Sequence, residues 1–460
     1  MSQEKENVYR EKLDRYVCAM DLGRPDKVPI RLQLSEFMAR YAGFTLQEIY
    51  YDLEKNVAAV GKVLADFDVD CISGAPSLWW ASLHDAVGAR YLKFAGRDLA
   101  PDRQFQYLED EYMLAEDYEA FTADPTRWIY EVYLPRIHSE MSDRGSYRAG
   151  VALVKGAGAF LTANARMPRA KAEWAATYGV PPSISGFAKA PFDTLADTLR
   201  GLKGIMTDLR RRPGKVLAAL EVIVPHNVFF TMATSAGNTL LPAFMPLHRG
   251  SFPFLNPEYW QKFYWPSLKR VIEDLWARGK RTLFYAEGNW TPYLESIAEL
   301  PPRSIVFHVD QTDMRKAKEI LGGRFCLSGN VPNTLMAYGT PDEVREYCRR
   351  LIETYAGDGG FIIDTGGVMQ TDVRAENVAA LIETARSISL GPPRPPVREE
   401  DPSPPPAQED GPAVPPGVCL PWEVKAREMG SIAGDERLIR SEWDKLETFA
   451  YLYLWYWVHR

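Results

Sequence analysis

The sequence of 460 residues predicts a (β/α)8 barrel with insertions, followed by a proline-rich linker and a C-terminal helix. Between residues 28 and 390, short segments rich in β-branched residues alternate with longer amphipathic segments, and at least seven such units are present. Regular β-then-α alternation with buried strands is typical of a parallel sheet, and this number of units fits a closed barrel. An open doubly wound sheet is the alternative, but no GxGxxG sequence follows the first predicted strand.

The apolar segments give the strands and the amphipathic segments give the helices. The predicted strands are 28–34, 69–73, 183–187, 244–247, 282–286, 304–309, 325–328 and 360–363. The predicted helices are 46–67, 194–220, 258–278, 293–299, 315–321, 341–355 and 375–387. The acidic and aromatic segment from residue 91 to about 140 is predicted to be an insertion.

The composition changes abruptly after the last predicted barrel helix. Eleven prolines lie between residues 391 and 417, so we expect an extended linker there. The predicted divisions are therefore a barrel over 1–390, a linker over 391–418 and a helical segment over 419–460. We expect the last helix to pack on its own barrel or on a dimer mate, and a lid over the substrate is the alternative.

Composition excludes several classes of protein. Apolar residues make up 46% and charged residues 25% of the chain, as in globular proteins. The net charge of −7 argues against a surface that binds nucleic acid, and the longest apolar run falls short of the ~20 residues of a membrane span. The charged start shows no secretory signal, and five scattered cysteines suit a reducing compartment. We therefore predict a cytoplasmic protein.

In a parallel barrel the carboxyl ends of the strands converge on one mouth, where catalysis takes place. The polar residues predicted at those ends are His248, Arg249, Glu287, Asn289, His308, Asp310, Asn330, Asp364 and Thr365. Glu287 and His308 have three interpretations: metal ligands, a general acid–base pair, or a buried hydrogen-bonded network. We predict Asn289, Asp364 and Trp79 as substrate contacts.

Two further histidines follow apolar segments. His248 is interpreted as a third metal ligand, as a substrate contact or as a polar residue that ends its strand. His226 follows EVIVP and could reach the mouth, but a structural role is favoured. Glu287, His308 and His248 are therefore the candidate catalytic residues and metal ligands.

Several separated motifs resemble the uroporphyrinogen decarboxylase superfamily. They are KVPIRLQLSEFMARYAGFT, PFDTLADTLRGLKGIMTDLRRRPGKVLAAL, LNPEYWQKFYWPSLKRVIE, LFYAEGNW, VFHVDQTDMRKAKEILGGRFCLSGNVP, GTPDEVREYCRRLIE and FIIDTGGVMQTDVRAENV. The resemblance covers about residues 8–390 and also implies a (β/α)8 barrel. The superfamily contains decarboxylases and zinc-dependent methyltransferases that work with corrinoid proteins.

Departures from the superfamily motifs argue against two of the activities in the superfamily, porphyrinogen decarboxylation and methyl transfer to a thiol. The decarboxylases have an RQAGRY-type segment, whereas Arg31 and Arg40 lack its paired spacing. The thiol methyltransferases bind zinc through His-x-Cys and a later Cys, and the matching positions here are Tyr285, Glu287 and Gly367.

The sequence is more similar to the methyltransferase I components of anaerobic O-demethylases, for which a zinc site of two glutamates and a histidine is proposed. Glu287 and His308 match two of these ligands. Glu273 would be the third but is predicted on an outer helix, so His248 is the third ligand that we expect. Oxygen and imidazole ligands would leave zinc a strong Lewis acid.

The resemblance thus implies zinc-dependent methyl transfer from an aryl methyl ether, or a similar small methylated donor, to the cob(I)alamin of a partner corrinoid protein. A metal-independent decarboxylase is the alternative, and a non-catalytic scaffold is a third hypothesis. Superfamily members are often dimers, so a homodimer is a possible assembly.

Overall fold

Eight parallel strands form the centre of the computed structural model, which describes residues 2–73, 80–235, 238–396, 417 and 419–459. In chain order the strands of the structure are β1 (Arg31–Gln33), β2 (Cys71–Ser73), β3 (Leu92–Lys93), β4 (Gln106–Tyr107), β5 (Gly186–Phe187), β6 (Ala243–Leu247), β7 (Thr282–Ala286), β8 (Ile305–Val309), β9 (Cys326–Gly329) and β10 (Phe361–Ile362). All except β3 and β4, which form an antiparallel pair in the insertion, belong to the central ring.

Backbone pairing closes this ring. β1 pairs with β2, and β5 to β10 form one parallel sheet in sequence order. Single parallel bridges join the two sheets on both sides, Ile30 to Ile363 and Ile72 to Pro182. The predicted (β/α)8 barrel is therefore confirmed over the alternative of an open doubly wound sheet.

The helices of the barrel lie outside the strands. Before the insertion they are α1 (Gln3–Met20), α2 (Phe37–Ala42), α3 (Leu46–Tyr51), α4 (Leu53–Asp66) and α5 (Ala81–Val87). The insertion contributes α6 (Tyr118–Ala123), α7 (Pro125–Trp128), a π-helical turn (Ile129–Tyr133), α8 (Leu134–Ile137), a 3-10 turn (Ser139–Met141) and α9 (Tyr147–Tyr178).

The second half of the barrel follows the same plan. Its helices are α10 (Pro191–Asp193), a π-helical turn (Thr194–Leu199), α11 (Gly201–Arg211), α12 (Pro213–Thr234), α13 (Pro257–Tyr259), a π-helical turn (Trp260–Tyr264), α14 (Trp265–Ala277), a 3-10 turn (Thr291–Tyr293), α15 (Leu294–Ile297), α16 (Met314–Leu321), α17 (Asn333–Tyr338), α18 (Pro341–Tyr355) and α19 (Ala375–Ser387). The C-terminal segment adds α20 (Trp422–Met429) and α21 (Glu436–His459).

The amino end of the barrel is covered by α1. Tyr16, Ala19 and Met20 of this helix are buried with the inward-facing side chains of Leu283 and Val306. The Tyr16 hydroxyl donates a hydrogen bond to the carbonyl of Ser183 at 3.1 Å. Since this end is covered, a ligand has access from the opposite end, which is the mouth.

The longest helix, α9, was not predicted. Gly150, Gly156, Gly158 and Pro168 lie inside it, and these residue types disfavour a helix interior. Packing compensates, because a side chain at Gly156 would meet the hydroxyl of Tyr453 at 2.2 Å. The close approach of the C-terminal helix therefore requires glycine at this position.

The C-terminal helix is present as predicted, whereas residues 397–416 and 418 of the predicted linker lie outside the described residues. From Tyr451 to His459, α21 packs against helices of its own chain. One described helix, α12, is long and apolar enough to cross a membrane, but 61% of its apolar window is buried inside the protein. The predicted divisions, cytoplasmic location and dimer remain predictions.

Candidate active site

The inward-facing side chains form layers because alternate residues of a strand point to the same side. On β7, Leu283 and Tyr285 face inward, and Glu287 follows them at the mouth. The register pairs Tyr285 with His308 of β8. His308 therefore belongs to the layer of Tyr285, one layer below Glu287.

The middle layer, defined by Arg31, Tyr285, His308, Ser328 and Asp364, is a polar cluster with no solvent exposure. Within the described residues, Arg31 Nη1 and the Tyr285 hydroxyl have no hydrogen-bond partner. Arg31 Nε donates to Asp364 at 2.7 Å, and Arg31 Nη2 donates to Ser328 Oγ at 2.9 Å. Arg31 Nη2 also lies 3.0 Å from His308 Nδ1. Tyr285 stacks on the His308 ring with centroids 4.0 Å apart.

Both ring nitrogens of His308 are engaged in this layer. Nδ1 accepts from Arg31, and Nε2 lies 3.0 Å from the carbonyl of Gly366, to which it must donate. Burial, assisted by the charge of Arg31, lowers the pKa of His308 well below its ordinary value. His308 is therefore neutral and has no nitrogen left for a metal ion.

This geometry corrects the predicted position of two residues. Both ring nitrogens of His308 are engaged, which favours the interpretation as a buried network, while its roles as metal ligand and acid–base group stay predictions. Asp364, predicted as a substrate contact, is likewise occupied by Arg31. The reason is register: both residues were assigned to the mouth as strand ends, but they lie one layer deeper.

At the mouth, His248 lies between two carboxylates. Its Nδ1 is 2.9 Å from Asp197 Oδ2 and its Nε2 is 3.1 Å from Glu287 Oε2. The His248 side chain is 42% exposed and that of Glu287 is 36% exposed, whereas Asp197 is 14% exposed. We refer to these three residues as the mouth triad.

The charge of the mouth triad follows from its geometry. Burial lowers the pKa of His248, but Asp197 and then Glu287 outweigh this effect and raise it well above its ordinary value. Burial likewise opposes ionisation of Asp197, yet the charge of His248 lowers the pKa of this carboxyl. His248 is thus an imidazolium whose two N–H groups both donate to carboxylates.

Asp193 fixes the backbone beneath the mouth triad. Its carboxylate accepts hydrogen bonds from the backbone N–H groups of His248 at 3.1 Å and Arg249 at 3.0 Å. The Tyr264 hydroxyl donates to the same carboxylate at 2.9 Å. Burial and the nearby charge of Asp197 raise the pKa of Asp193 to about 6.

Arg249 ties the mouth triad to a neighbouring cavity. Its guanidinium donates to Asp197 and, at 2.8 Å, to Glu109 of the insertion. A cavity of about 1000 Å³ lies next to this contact, and Glu109, Asp110, Glu111, Lys203, Arg210 and Arg211 are among its lining residues. The insertion thus brings charged groups to one side of the mouth.

Sequence reasoning missed Asp193 and Asp197. Both lie in PFDTLADTL, a segment used only for the family resemblance, at the start of the helix predicted after the third barrel strand. The spacing of four residues was an available signal, since it places two carboxylates on one helical face toward the next strand end. The π-helical turn Thr194–Leu199 could not be predicted from local propensity.

The other residues singled out in the sequence lie in different parts of the structure. Trp79 lies outside the described residues. Asn289 lies in the loop after β7, where its side chain accepts from the Thr291 N–H at 3.0 Å, so its substrate role stays a prediction. Glu273 is on the outer helix α14. His226 is inside α12 and bonded to Tyr451, which agrees with its structural interpretation.

The zinc predicted from the resemblance requires three protein ligands in a catalytic site. Glu287 and His248 offer two, but within the described residues no group of three His, Cys, Asp or Glu side chains has a geometry that could hold a metal ion. The described donor set therefore does not fit the predicted zinc. The metal stays a prediction of the resemblance.

Comparison with known proteins places this barrel in context. Residues 178–388 match the profile of the uroporphyrinogen decarboxylase (URO-D) family. The uroporphyrinogen decarboxylase of Xanthomonas euvesicatoria pv. vesicatoria is 32% identical over 147 residues, which cover 29% of this chain and 40% of that protein. The enzyme of the same name from Methylococcus capsulatus is 25% identical over 138 residues, or 29% and 39% of the two chains. The match thus spans about two fifths of each relative.

A solved structure resembles a larger part of the chain. A methyltransferase from Methanosarcina mazei superposes with a TM-score of 0.53 over 82% of this chain and 98% of its own. Its sequence identity is 18%, so this likeness establishes the shared fold.

Proposed function

We propose that this chain, whose residues 178–388 match the URO-D family profile, is a methyltransferase. It would move a methyl group from an aryl methyl ether or a similar donor to the cob(I)alamin of a partner corrinoid protein. The observation that carries the proposal is the mouth triad, in which His248 is held as an imidazolium between Asp197 and Glu287. The likeness of the fold to a methyltransferase supports it.

The mouth triad supplies a proton donor, which demethylation of an ether requires at the ether oxygen. When the bond between methyl carbon and ether oxygen breaks, the oxygen keeps the electron pair and becomes a phenolate. A proton donor at that oxygen stabilises the departing group. His248 can give its Nε2 proton to this oxygen once a substrate displaces Glu287 from it, while Asp197 holds the other ring nitrogen. The reduced corrinoid supplies the nucleophile that accepts the methyl group.

An exposed aromatic ring at the mouth suits an aromatic donor. Phe252 is 42% exposed, although large apolar side chains are usually buried. Its backbone N–H donates to the carbonyl of Asn289 at 2.8 Å, which holds the loop after β6 against the loop after β7. A planar substrate ring stacked on Phe252 would lie beside the mouth triad.

The experiment is a screen of methoxylated aromatic donors with free cob(I)alamin, using the purified protein and its His248→Gln variant. We expect methyl transfer by the wild type and a strong loss in the variant, because the variant has no imidazolium to give a proton to the ether oxygen. Glu273→Ala, on the outer helix, is the control and should keep full activity. Full retention of transfer by His248→Gln would contradict the proposed site.

The alternative, a metal-independent decarboxylase, has one specific observation in its favour. The imidazolium of His248, at the exposed mouth, is a proton donor of the kind that protonation of a carbanion needs. Release of carbon dioxide from carboxylated aromatic substrates, without cob(I)alamin, would support this function over methyl transfer. Failure of both reactions would favour the non-catalytic scaffold.

Metal analysis of the purified protein tests the remaining prediction. About one zinc per chain would show that Glu287 and His248 recruit a ligand beyond the described set. The role of the mouth triad as a proton donor would then be replaced by that of a Lewis acid. Zinc below a tenth of the protein concentration would support the proton donor.

A further inference from the structure

The last nine residues described, from Tyr451 to His459, pack against the turn that carries Asp197. With the exception of Leu452 they are buried. The Tyr133 hydroxyl lies 3.2 Å from the carbonyl of Thr198 and 3.4 Å from the carbonyl of Trp457. The C-terminal helix and the π-helical turn Thr194–Leu199 are therefore joined through one side chain.

Aromatic stacking holds this segment on α12. The His226 ring stacks on Trp455 with centroids 4.1 Å apart, and the Phe230 ring stacks on His459 at 4.0 Å with an interplanar angle of 4°. His226 Nδ1 also lies 2.6 Å from the Tyr451 hydroxyl. These contacts fix the segment in one position relative to α12.

The same helix α12 reaches the turn through Asn227. Its amide donates to the carbonyl of Lys189 at 2.7 Å and to Thr194 Oγ1 at 3.0 Å. Asn227 has no solvent exposure, so these hydrogen bonds are made inside the protein. The turn that carries Asp197 is thus bound from α12 at its start.

Lys189 stands between the C-terminal segment and the mouth triad. Its side chain is buried, and Nζ donates to Thr198 Oγ1 at 2.6 Å, one residue after Asp197. Its charge acts on Asp197, where it favours the carboxylate, and also on His459. Lys189 therefore binds the residue next to Asp197, and its charge stabilises the Asp197 carboxylate.

We propose that Lys189 and residues 451–459 are positioning elements of the mouth, which hold the turn Thr194–Leu199 so that Asp197 stays bonded to the His248 ring. The charged groups that face or flank His248 are Asp197, Glu287, Asp193 and Arg249. Of these, Asp197 lies in the turn that Tyr133 links to the C-terminal segment. The proposal concerns the proposed site but holds whatever reaction takes place there.

The test is proton NMR of the full-length protein, because a histidine N–H bonded to a carboxylate gives a signal far downfield of the amide region. The Nδ1 proton of His248 is assigned by its absence from a His248→Gln variant. We expect this signal to shift or disappear in Lys189→Met and in a chain that ends after Ala450. Lys189→Arg, which keeps the charge, should restore it.

The control is Leu446→Ala. Leu446 lies in the same C-terminal helix α21 but is 65% exposed, so the His248 Nδ1 signal of this variant should match that of the wild type. A folded Lys189→Met protein with an unchanged Nδ1 signal would overturn the proposal. If the shortened chain does not fold, the two Lys189 variants decide. Since the signal needs no turnover, its outcome is separate from failure of the proposed methyl transfer.

Discussion

His308 and His248 lie in neighbouring layers of one barrel, but His308 is neutral and His248 is positively charged. His308 is fully buried, faces Arg31, and has its pKa lowered well below the ordinary value, first by burial and then by that guanidinium. His248 is 42% exposed and lies between Asp197 and Glu287, which raise its pKa well above the ordinary value against the effect of burial. The groups that face each ring therefore decide its charge.

This difference suggests that the middle layer stabilises the fold, whereas the mouth triad is placed to react with a substrate. The middle layer pairs the charges of Arg31 and Asp364 inside the protein, away from solvent. The mouth triad instead keeps a charged imidazolium where solvent and substrates can reach it. The following predictions test whether this separation holds.

The largest effect should come from removing the charged ring at the mouth. We expect His248→Gln to reduce methyl transfer by a factor of about 10² to 10⁴, the usual contribution of a general acid. Its unfolding free energy should change by less than about 1 kcal/mol, because the position is partly exposed. Activity assays and thermal unfolding measure the two effects, and unchanged activity would place the reaction elsewhere.

Arg31→Met should have the opposite profile, with its main effect on stability. It leaves Asp364 buried without a partner, which costs about 3–5 kcal/mol of unfolding free energy. Urea unfolding measures this loss. Arg10→Met is the control, because Arg10 is 71% exposed in its ion pair with Glu6 and should lose no more than about 0.5 kcal/mol. Equal losses in both variants would show that burial does not distinguish the two pairs.

Acid should destabilise the middle layer through His308. Its folded pKa is lowered, so below pH ~6.5 the unfolded chain binds a proton that the folded chain does not. Stability should then fall by up to about 1.4 kcal/mol per pH unit from this residue. His226 and His459, each with a pKa of about 3, add to the slope.

Urea unfolding between pH 5 and 7 isolates this contribution when the wild type is compared with His308→Gln. The variant should show a flatter decrease in stability, because the buried imidazole that resists protonation is gone. Identical slopes would mean that His308 is already protonated in the folded protein.

The smallest expected effect is on the pH dependence of activity above pH 7. His248 acts only when protonated, and its raised pKa predicts activity that persists above pH 7 and falls as pH rises through that raised value. Asp197→Asn removes one of the two carboxylates and should move this fall to lower pH by about one unit. A pH profile of kcat/KM measures the shift, and a profile that does not move would separate Asp197 from the ionisation of His248.

The sequence predicted the barrel well because strand identity depends on local pattern. Strand β7 and helices α18 and α19 have the predicted bounds, and the other predicted strands differ by a few residues at their ends. The long helix α9 was missed because its glycines disfavour a helix locally, and only the contact with Tyr453 explains one of them.

The site was predicted less completely because it depends on register and on helix geometry. Glu287 and His248 were correctly assigned to the mouth, where the structure brings them within 3.1 Å of each other. His308 was placed there too, since the sequence does not show that Tyr285 is its partner on β7. Asp197 was missed because its position depends on a π-helical turn.

The π-helical turn Thr194–Leu199 makes the mouth sensitive to chain length as well as to residue identity. The backbone N–H of Arg200 bonds to the carbonyl of Leu195, five residues earlier, so this turn holds one residue more than an α-helical turn. Deleting one residue between Asp193 and Asp197 would return this turn to α-helical geometry and place Asp197 three residues after Asp193 instead of four. We expect such a deletion to separate Asp197 from the His248 ring while every charged residue of the mouth is retained.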